Sequence, residues 1–295
     1  MPDITSITSL TNPHIKAMRA LHDRKHRRRA KLVLAEGVRI ITEAVALGWR
    51  VGRLAFLAGR EHDPSIARLI KATQAHGGVV LAVNEAVLAK ITRKTNPQSA
   101  VACFDEQWQS LEDVLARTPS KQSPKPKAPN QNKARVWVAL DRVRDPGNLG
   151  TIMRTLDAVA GAGIILIGAC TDAYSVEAVR ASMGACFNVR LVACDEAEFI
   201  AFCQHWRKIK QSRIIATSLT ATVDYRTAEY TAPLIVLMGN EQSGLAPNLT
   251  PCATDLVRIP MAGRSDSLNL AVATALMLYQ HYHHAPANGQ KSLGG

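Results

Sequence analysis

Asn148 and Arg154 are the polar residues of interest in the stretch DPGNLGTIMR, residues 145–154, which otherwise reads as a turn running into a helix. Leu149, Ile152, Met153, Leu156 and Ala160 recur at helical spacing, and neither Asn148 nor Arg154 falls on that stripe. A guanidinium at such a place offers a planar, permanently charged fork suited to phosphate. It holds its own proton to a pH above ~12 and so stays charged, although read alone Arg154 could be a surface helix arginine. Asp145, Pro146 and Gly147 spell the turn, and Gly161 and Gly163 are expected to end the helix. A strand over Ile164 to Ile167 follows, and another over Val136 to Leu140 precedes. In a parallel sheet this order puts residues 145–154 outside the carboxyl end of a strand, where ligands collect.

The elements that must position those residues continue the same alternation. Strands are expected at Val189 to Val192, Ile214 to Ala216, Leu234 to Met238 and Leu256 to Ile259, with helices near Val176 to Met183 and Glu196 to Trp206. The fold class is therefore α/β, a parallel sheet covered by helices. The strand at Leu234 runs into GNEQSGLAP, residues 239–247, and the last strand into PMAGRSDSLNLAVATALMLYQ, residues 260–280. Ser267 or Asp266 can cap the final helix, which is apolar almost all the way round and so must be buried on several faces.

The other half of the 295-residue chain differs in charge. Residues 1–133 hold 22 Lys and Arg against 11 Asp and Glu, whereas residues 134–295 hold 14 against 13, so nearly all of the net +12 is N-terminal. A basic module attached to a near-neutral one suggests a grip on a polyanion. The densest cluster is RKHRRRAK, with Arg24, Lys25, Arg27, Arg28, Arg29 and Lys31 as candidate nucleic-acid contacts, although such a run can equally be a solvated helix face. Trp49 and Phe56 are the only aromatic residues among the first 100, which argues against base stacking as the main mode. The region reads as a small α/β module over residues 1–105. A linker spans 106–133, its second part rich in proline and lysine and without an aliphatic side chain larger than alanine. The second domain covers 134–285, and 286–295 form a flexible tail.

Several functions are excluded by pattern. GAGIILIG, residues 161–168, lacks the third glycine of a dinucleotide fingerprint and precedes a strand instead of a helix. Neither a GxxxxGK[ST] loop nor a GxSxG elbow occurs. No metal is expected: the six cysteines show no CxxC pair and read as reduced thiols, and His281, His283 and His284 read as part of a flexible tail. The longest apolar segment, Leu268 to Tyr279, is too short for a membrane span, and no secretory signal is evident, so a cytoplasmic protein is expected.

Three stretches, DPGNLGTIMRT, LMGNEQSGL and RIPMAGRSDSLNLAVA, resemble in order and spacing the three motifs of the SpoU/TrmH branch of the SPOUT superfamily, the RNA ribose 2′-O-methyltransferases. The segment Leu10 to Leu47, with KLVLAEGVRIITEAVALG, resembles the L30e-like substrate-binding domain that many members carry. This resemblance implies a trefoil-knotted methyltransferase domain, a homodimer through that domain, and S-adenosylmethionine as cofactor. It implies cofactor contacts from Thr217, Ser218, Leu219, Gly239, Ile259, Met261 and Leu268, although Ile259 and Met261 could on composition alone be simple core residues. It also implies a catalytic set of Asn148, Arg154, Glu241, Ser267 and Asn269; read alone, Asn148 could be a helix cap. The expected substrate is structured RNA, ribosomal in preference to transfer RNA. The alternatives are a transfer RNA methyltransferase and a catalytically silent RNA-binding or ribosome-assembly factor.

Overall fold

A proline just inside a helix, with a side-chain oxygen just before it, starts two of the helices of the basic half. Asn12 caps α1 (Pro13–Ala20), and Asp63 caps a later helix that opens at Pro64. The computed structural model describes residues 4–117 and 136–284, and these fall into two compact units. Of the described residues, the first comprises 4–107, 145–154 and 171–188. Its N-terminal part runs β1 (Thr5–Ile7), α1, α2 (Arg24–Ala30), β2 (Leu32–Glu36), α3 (Val38–Ala46), β3 (Val51–Leu57), α4 (Pro64–Ala75), β4 (Val79–Val83), α5 (Glu85–Thr92) and β5 (Ala100–Asp105). The strands form one mixed sheet in the order β1-β4-β3-β5-β2.

The second unit contains α6 (Leu111–Arg117), β6 (Val136–Asp141), β7 (Gly163–Ile167), β8 (Arg190–Cys194), α9 (Glu196–Trp206), β9 (Arg213–Thr217), β10 (Val223–Asp224), β11 (Leu234–Met238), β12 (Asp255–Arg258) and α10 (Leu270–His284). Between β6 and β7 comes α7 (Pro146–Ala158), and between β7 and β8 comes α8 (Val176–Ala181). The seven strands form an all-parallel sheet in the order β10-β12-β9-β11-β6-β7-β8. Strands β6, β7 and β11 are buried along their whole length, as parallel strands covered on both faces must be.

The grouping of residues differs from a simple cut at 134. Helix α8 lies against β2, and Arg180 donates from Nε and Nη2 to the two carboxylate oxygens of Glu36 and from Nη2 to the carbonyl of Thr92. Trp49 donates its indole N–H to the carbonyl of Phe187 at 2.8 Å and packs edge-on to that ring. Residues 171–188 thus complete the core of the basic half. The expected linker also starts too early, because Gln109 bridges to Val192 and α6 packs on α9 with Val114 fully buried. The proline- and lysine-rich residues 118–133 and the expected tail 286–295 lie outside the described residues.

Four expectations about individual residues are corrected. Helix α7 starts at Pro146, so Gly147 and Asn148 belong to its first turn, and the cap is Asp145, whose Oδ1 accepts the Asn148 N–H at 2.6 Å. Its exit is turned by Ala160 at φ 54°, not by a glycine; Ala160 is exposed, and Val159 joins the buried stripe instead. Arg27 is buried at 3% exposure, its guanidinium shared between Asp172 and the Leu21 carbonyl, so it is unavailable to RNA. His281 is a buried member of α10 bonded to the Tyr230 carbonyl, not part of a tail.

Candidate functional site

Because the sheet is parallel, the carboxyl ends of neighbouring strands converge on one edge. Register places Thr217 beside Val257, Ala216 beside Leu237, and Met238 beside Leu140. Residues 217–219, 239–241, 258–261 and 141–145 therefore leave adjacent strands at the same edge, where open α/β sheets hold ligands.

Within the second unit a cleft of about 390 Å³ opens there, lined by Ile259, Met261 and Leu268 together with Tyr225, Arg226 and Leu276. Ile259 is half-buried, while Met261 and Leu268 are each 36% exposed, so the simple core reading of Ile259 and Met261 does not hold. Three of the seven expected cofactor residues share this wall. Thr217, Ser218, Leu219 and Gly239 do not line it: Ser218 donates its N–H to Val257, and Leu219 is 65% exposed. Tyr225 and Arg226 gave no signal in the sequence. They reach the cleft because the two-residue strand β10 pairs with β12, and the Tyr225 N–H bonds the Arg258 carbonyl at 3.0 Å. Arg226 is held by Asp224, whose carboxyl that guanidinium lowers to about 2.

The loop carrying Glu241 is tied down from behind. Asn240 and Gly244 exchange backbone hydrogen bonds, and the Asn240 Oδ1 accepts the N–H groups of Gln242 and Ser243. Asn240 Nδ2 donates to the Arg142 carbonyl at 2.8 Å. The buried Asp141 accepts the Ala246 N–H at 2.9 Å and both prongs of Arg142, which holds that guanidinium above its ordinary pKa. Glycine at 239 is explained by this loop: a Cβ there would meet the backbone of Gly244 and Leu245 at 2.2 to 2.3 Å. The only sign of the anchor residues Asp141 and Arg142 in the sequence is an acidic residue ending an apolar strand. Glu241 itself is exposed at the tip.

Asn269, not Ser267 or Asp266, caps α10, its Oδ1 accepting the N–H groups of Ala271 and Val272 at 2.9 and 3.3 Å. Ser267 is exposed in the segment before it. Asn148 and Arg154 belong to the first unit. There α7 presents Leu149, Ile152 and Met153 inward at 0% exposure and Arg154 outward, with no carboxylate paired to Arg154 among the described residues. Gly150 permits close packing on α8, because a Cβ would come within 2.5 Å of Ala181 and 2.6 Å of the Ala178 carbonyl. Of the expected RNA contacts, Arg24, Lys25, Arg28, Arg29 and Lys31 are exposed around α2. Among the described residues no cluster of His, Cys, Asp or Glu could hold a metal, and no helix is long and apolar enough to cross a membrane.

Comparison with known proteins decides the affiliation. Residues 135–279 match the SpoU rRNA methylase family and residues 12–102 match the MRM3-like substrate binding domain. A crystal structure of an AdoMet-bound rRNA methyltransferase from Sinorhizobium meliloti is 41% identical, with a TM-score of 0.83 over 96% of this chain and 99% of that one. The chain belongs to the SpoU rRNA methylase family. A tRNA/rRNA methyltransferase of Synechocystis sp. is 32% identical over 281 residues, 94% of this chain and 93% of that protein. The 23S rRNA (uridine(2479)-2′-O)-methyltransferase of Streptomyces viridochromogenes is 28% identical over 266 residues, covering 88% and 85%. The family match joins the two motif loops that follow β11 and β12 to a known chemistry.

Proposed function

We propose that this SpoU family member transfers a methyl group from S-adenosylmethionine to a ribose 2′-hydroxyl of structured RNA, with ribosomal RNA the substrate. The observation that carries this reading is the cleft at the carboxyl edge of the sheet, walled by Ile259, Met261 and Leu268 from the third motif. Its size and its largely apolar lining, which includes a tyrosine and an arginine, fit a compact nucleoside cofactor. Bound there, S-adenosylmethionine supplies an electrophilic methyl group. The neighbouring strand ends, with Thr217, Ser218, Leu219 and Gly239, complete its surroundings. Arg154 orients an RNA phosphate and the ribose hydroxyl next to it; Asn148, Glu241, Ser267 and Asn269 shape the rest of the site.

The same reading includes a trefoil knot formed by the C-terminal segment, a cytoplasmic location, and a two-fold homodimer. The dimer is supported by the uncovered apolar side chains on and beside α10, where Val272 is 49% and Tyr279 44% exposed. A monomeric mass by light scattering with activity retained removes the dimer from this account.

The decisive test maps 2′-O-methyl marks across ribosomal and transfer RNA from cells with and without the protein, and repeats the transfer in vitro with labelled cofactor. Loss of a mark in ribosomal RNA, restored by the purified protein, is expected. RNA binding with no transfer to any RNA would leave only a silent binding factor, and a mark confined to transfer RNA would move the substrate there.

A further inference from the structure

The first unit carries a basic surface that the sequence did not reveal. Lys16 and Arg19 on α1 meet Lys90, Arg93 and Lys94, at the end of α5 and just beyond it, across a concave groove of about 790 Å³. The two groups are more than 70 residues apart in the chain and are joined only because α1 packs on α5. Lys16 and Arg19 are three residues apart, which brings both to one face of α1. Arg93 stands at φ 55° just past α5. Lys94 is committed to the buried Glu36 at 2.8 Å. Among the described residues, no carboxylate pairs with Lys16, Arg19, Lys90 or Arg93, and no acidic side chain lines the groove.

Four uncompensated cations facing one concavity repel each other unless a polyanion fills it. The remaining lining, Ala20, Ala89 and Thr95, offers no ring on which a base could stack. Trp49, Phe56 and Phe104, the aromatic residues of residues 1–105, are buried. Contact with a sugar-phosphate backbone, not base readout, is the chemistry this surface supports. The alternative basic surface, α2, is weaker on the same criteria. It is the outside of a single seven-residue helix, and its central Arg27 is spent on Asp172.

We propose that the groove between α1 and α5 is the main phosphate-docking site of this unit, gripping the RNA backbone through Lys16, Arg19, Lys90 and Arg93. This rests on the reading of the chain as an RNA methyltransferase and adds where the RNA is held.

The test compares two charge-removing variants of the full chain, Lys16→Gln/Lys90→Gln/Arg93→Gln in the groove and Lys25→Gln/Arg28→Gln/Arg29→Gln on α2. The probe is 23S rRNA transcribed in vitro, bound at several salt concentrations from 50 to 200 mM. Thermal shift with S-adenosylhomocysteine verifies that each variant is folded. Each phosphate contact contributes about 0.7 to 0.9 to the slope of log K against log salt. The groove variant is expected to lower that slope by about 2 and to weaken binding by roughly tenfold or more. The α2 variant is expected to stay within a few-fold of wild type. Wild-type affinity and slope in a folded groove variant overturn the groove, and a larger loss from the α2 variant moves the site to that helix. Absence of salt-sensitive binding by the wild-type chain overturns the RNA reading itself, and the groove with it.

Discussion

The carboxylate of Asp141, at the end of β6, accepts the backbone N–H of Ala246 at 2.9 Å across the base of the loop that carries Glu241. At 1% exposure it also binds both prongs of Arg142, whose carbonyl in turn accepts from Asn240. The loop is therefore fixed to the neighbouring strand through three groups, none of which faces the cleft.

Asp141→Ala should release that loop and leave the Ala246 N–H without its acceptor. A loss of about 1.5 to 3 kcal/mol is expected for hydrogen bonds to a charged group, and turnover should fall more than RNA affinity does. Asp141→Asn keeps an acceptor for Ala246 but loses the charge that pairs with Arg142, so it should rescue turnover in part. Single-turnover rates beside melting curves check this. Equal rates for all three proteins would mean that the loop needs no anchor.

Arg27 is the structural member of a run that otherwise faces solvent. Both Nε and Nη2 donate to the same Asp172 oxygen, at 3.0 and 2.8 Å, while Nη1 bonds the Leu21 carbonyl. Removing one partner of a buried ion pair strands the other charge, which costs about 3 to 5 kcal/mol. Arg27→Ala should lower the urea midpoint accordingly, whereas Arg28→Ala should stay within about 0.5 kcal/mol of wild type. Equal midpoints would contradict the buried pair.

That contrast shows what the sequence carries and what it hides. Strands β6, β7 and β11 were legible because a strand covered on both faces must be continuously apolar. Strands β1 and β10, three and two residues long, are held by backbone pairing and leave no side-chain pattern. The three motif loops were legible by type and spacing. Their supports were not: Tyr225 and Arg226 reach Ile259 only through strand pairing, and Lys16 reaches Lys90 only through helix packing. Nor can a run such as RKHRRR say which arginine turns inward, since that depends on Asp172, far along the chain.

His281 predicts a pH dependence of stability. It is buried in α10 and its Nδ1 bonds the Tyr230 carbonyl at 3.0 Å, so burial holds its pKa below the ordinary 6.5. The unfolded chain then binds more protons than the folded one as pH falls through 6.5. The His281 contribution is complete above that value and is lost on acidification. His281→Gln, which keeps a hydrogen-bond donor, should flatten the acid side of a plot of melting temperature against pH from 5 to 8. An unchanged slope would assign the acid sensitivity to other groups, among them His22, which burial also lowers.

Arg154 is the most direct test of the chemistry. Helix α7 is fixed by the buried Leu149, Ile152, Met153 and Leu156, and by Gly150 against α8, so its outward face is set without help from Arg154. Arg154 stands on that face, exposed and without a carboxylate partner among the described residues, and its removal should leave stability within about 0.5 kcal/mol. If it orients the phosphate and the hydroxyl, Arg154→Ala should reduce the single-turnover rate by about 100-fold or more while cofactor affinity is unchanged. Lysine should rescue poorly, because a point charge cannot reproduce a two-pronged contact. A rate within a few-fold of wild type for Arg154→Ala would show that this face of α7 is not where the ribose is held. The orienting group would then have to come from the loops that follow β11 and β12.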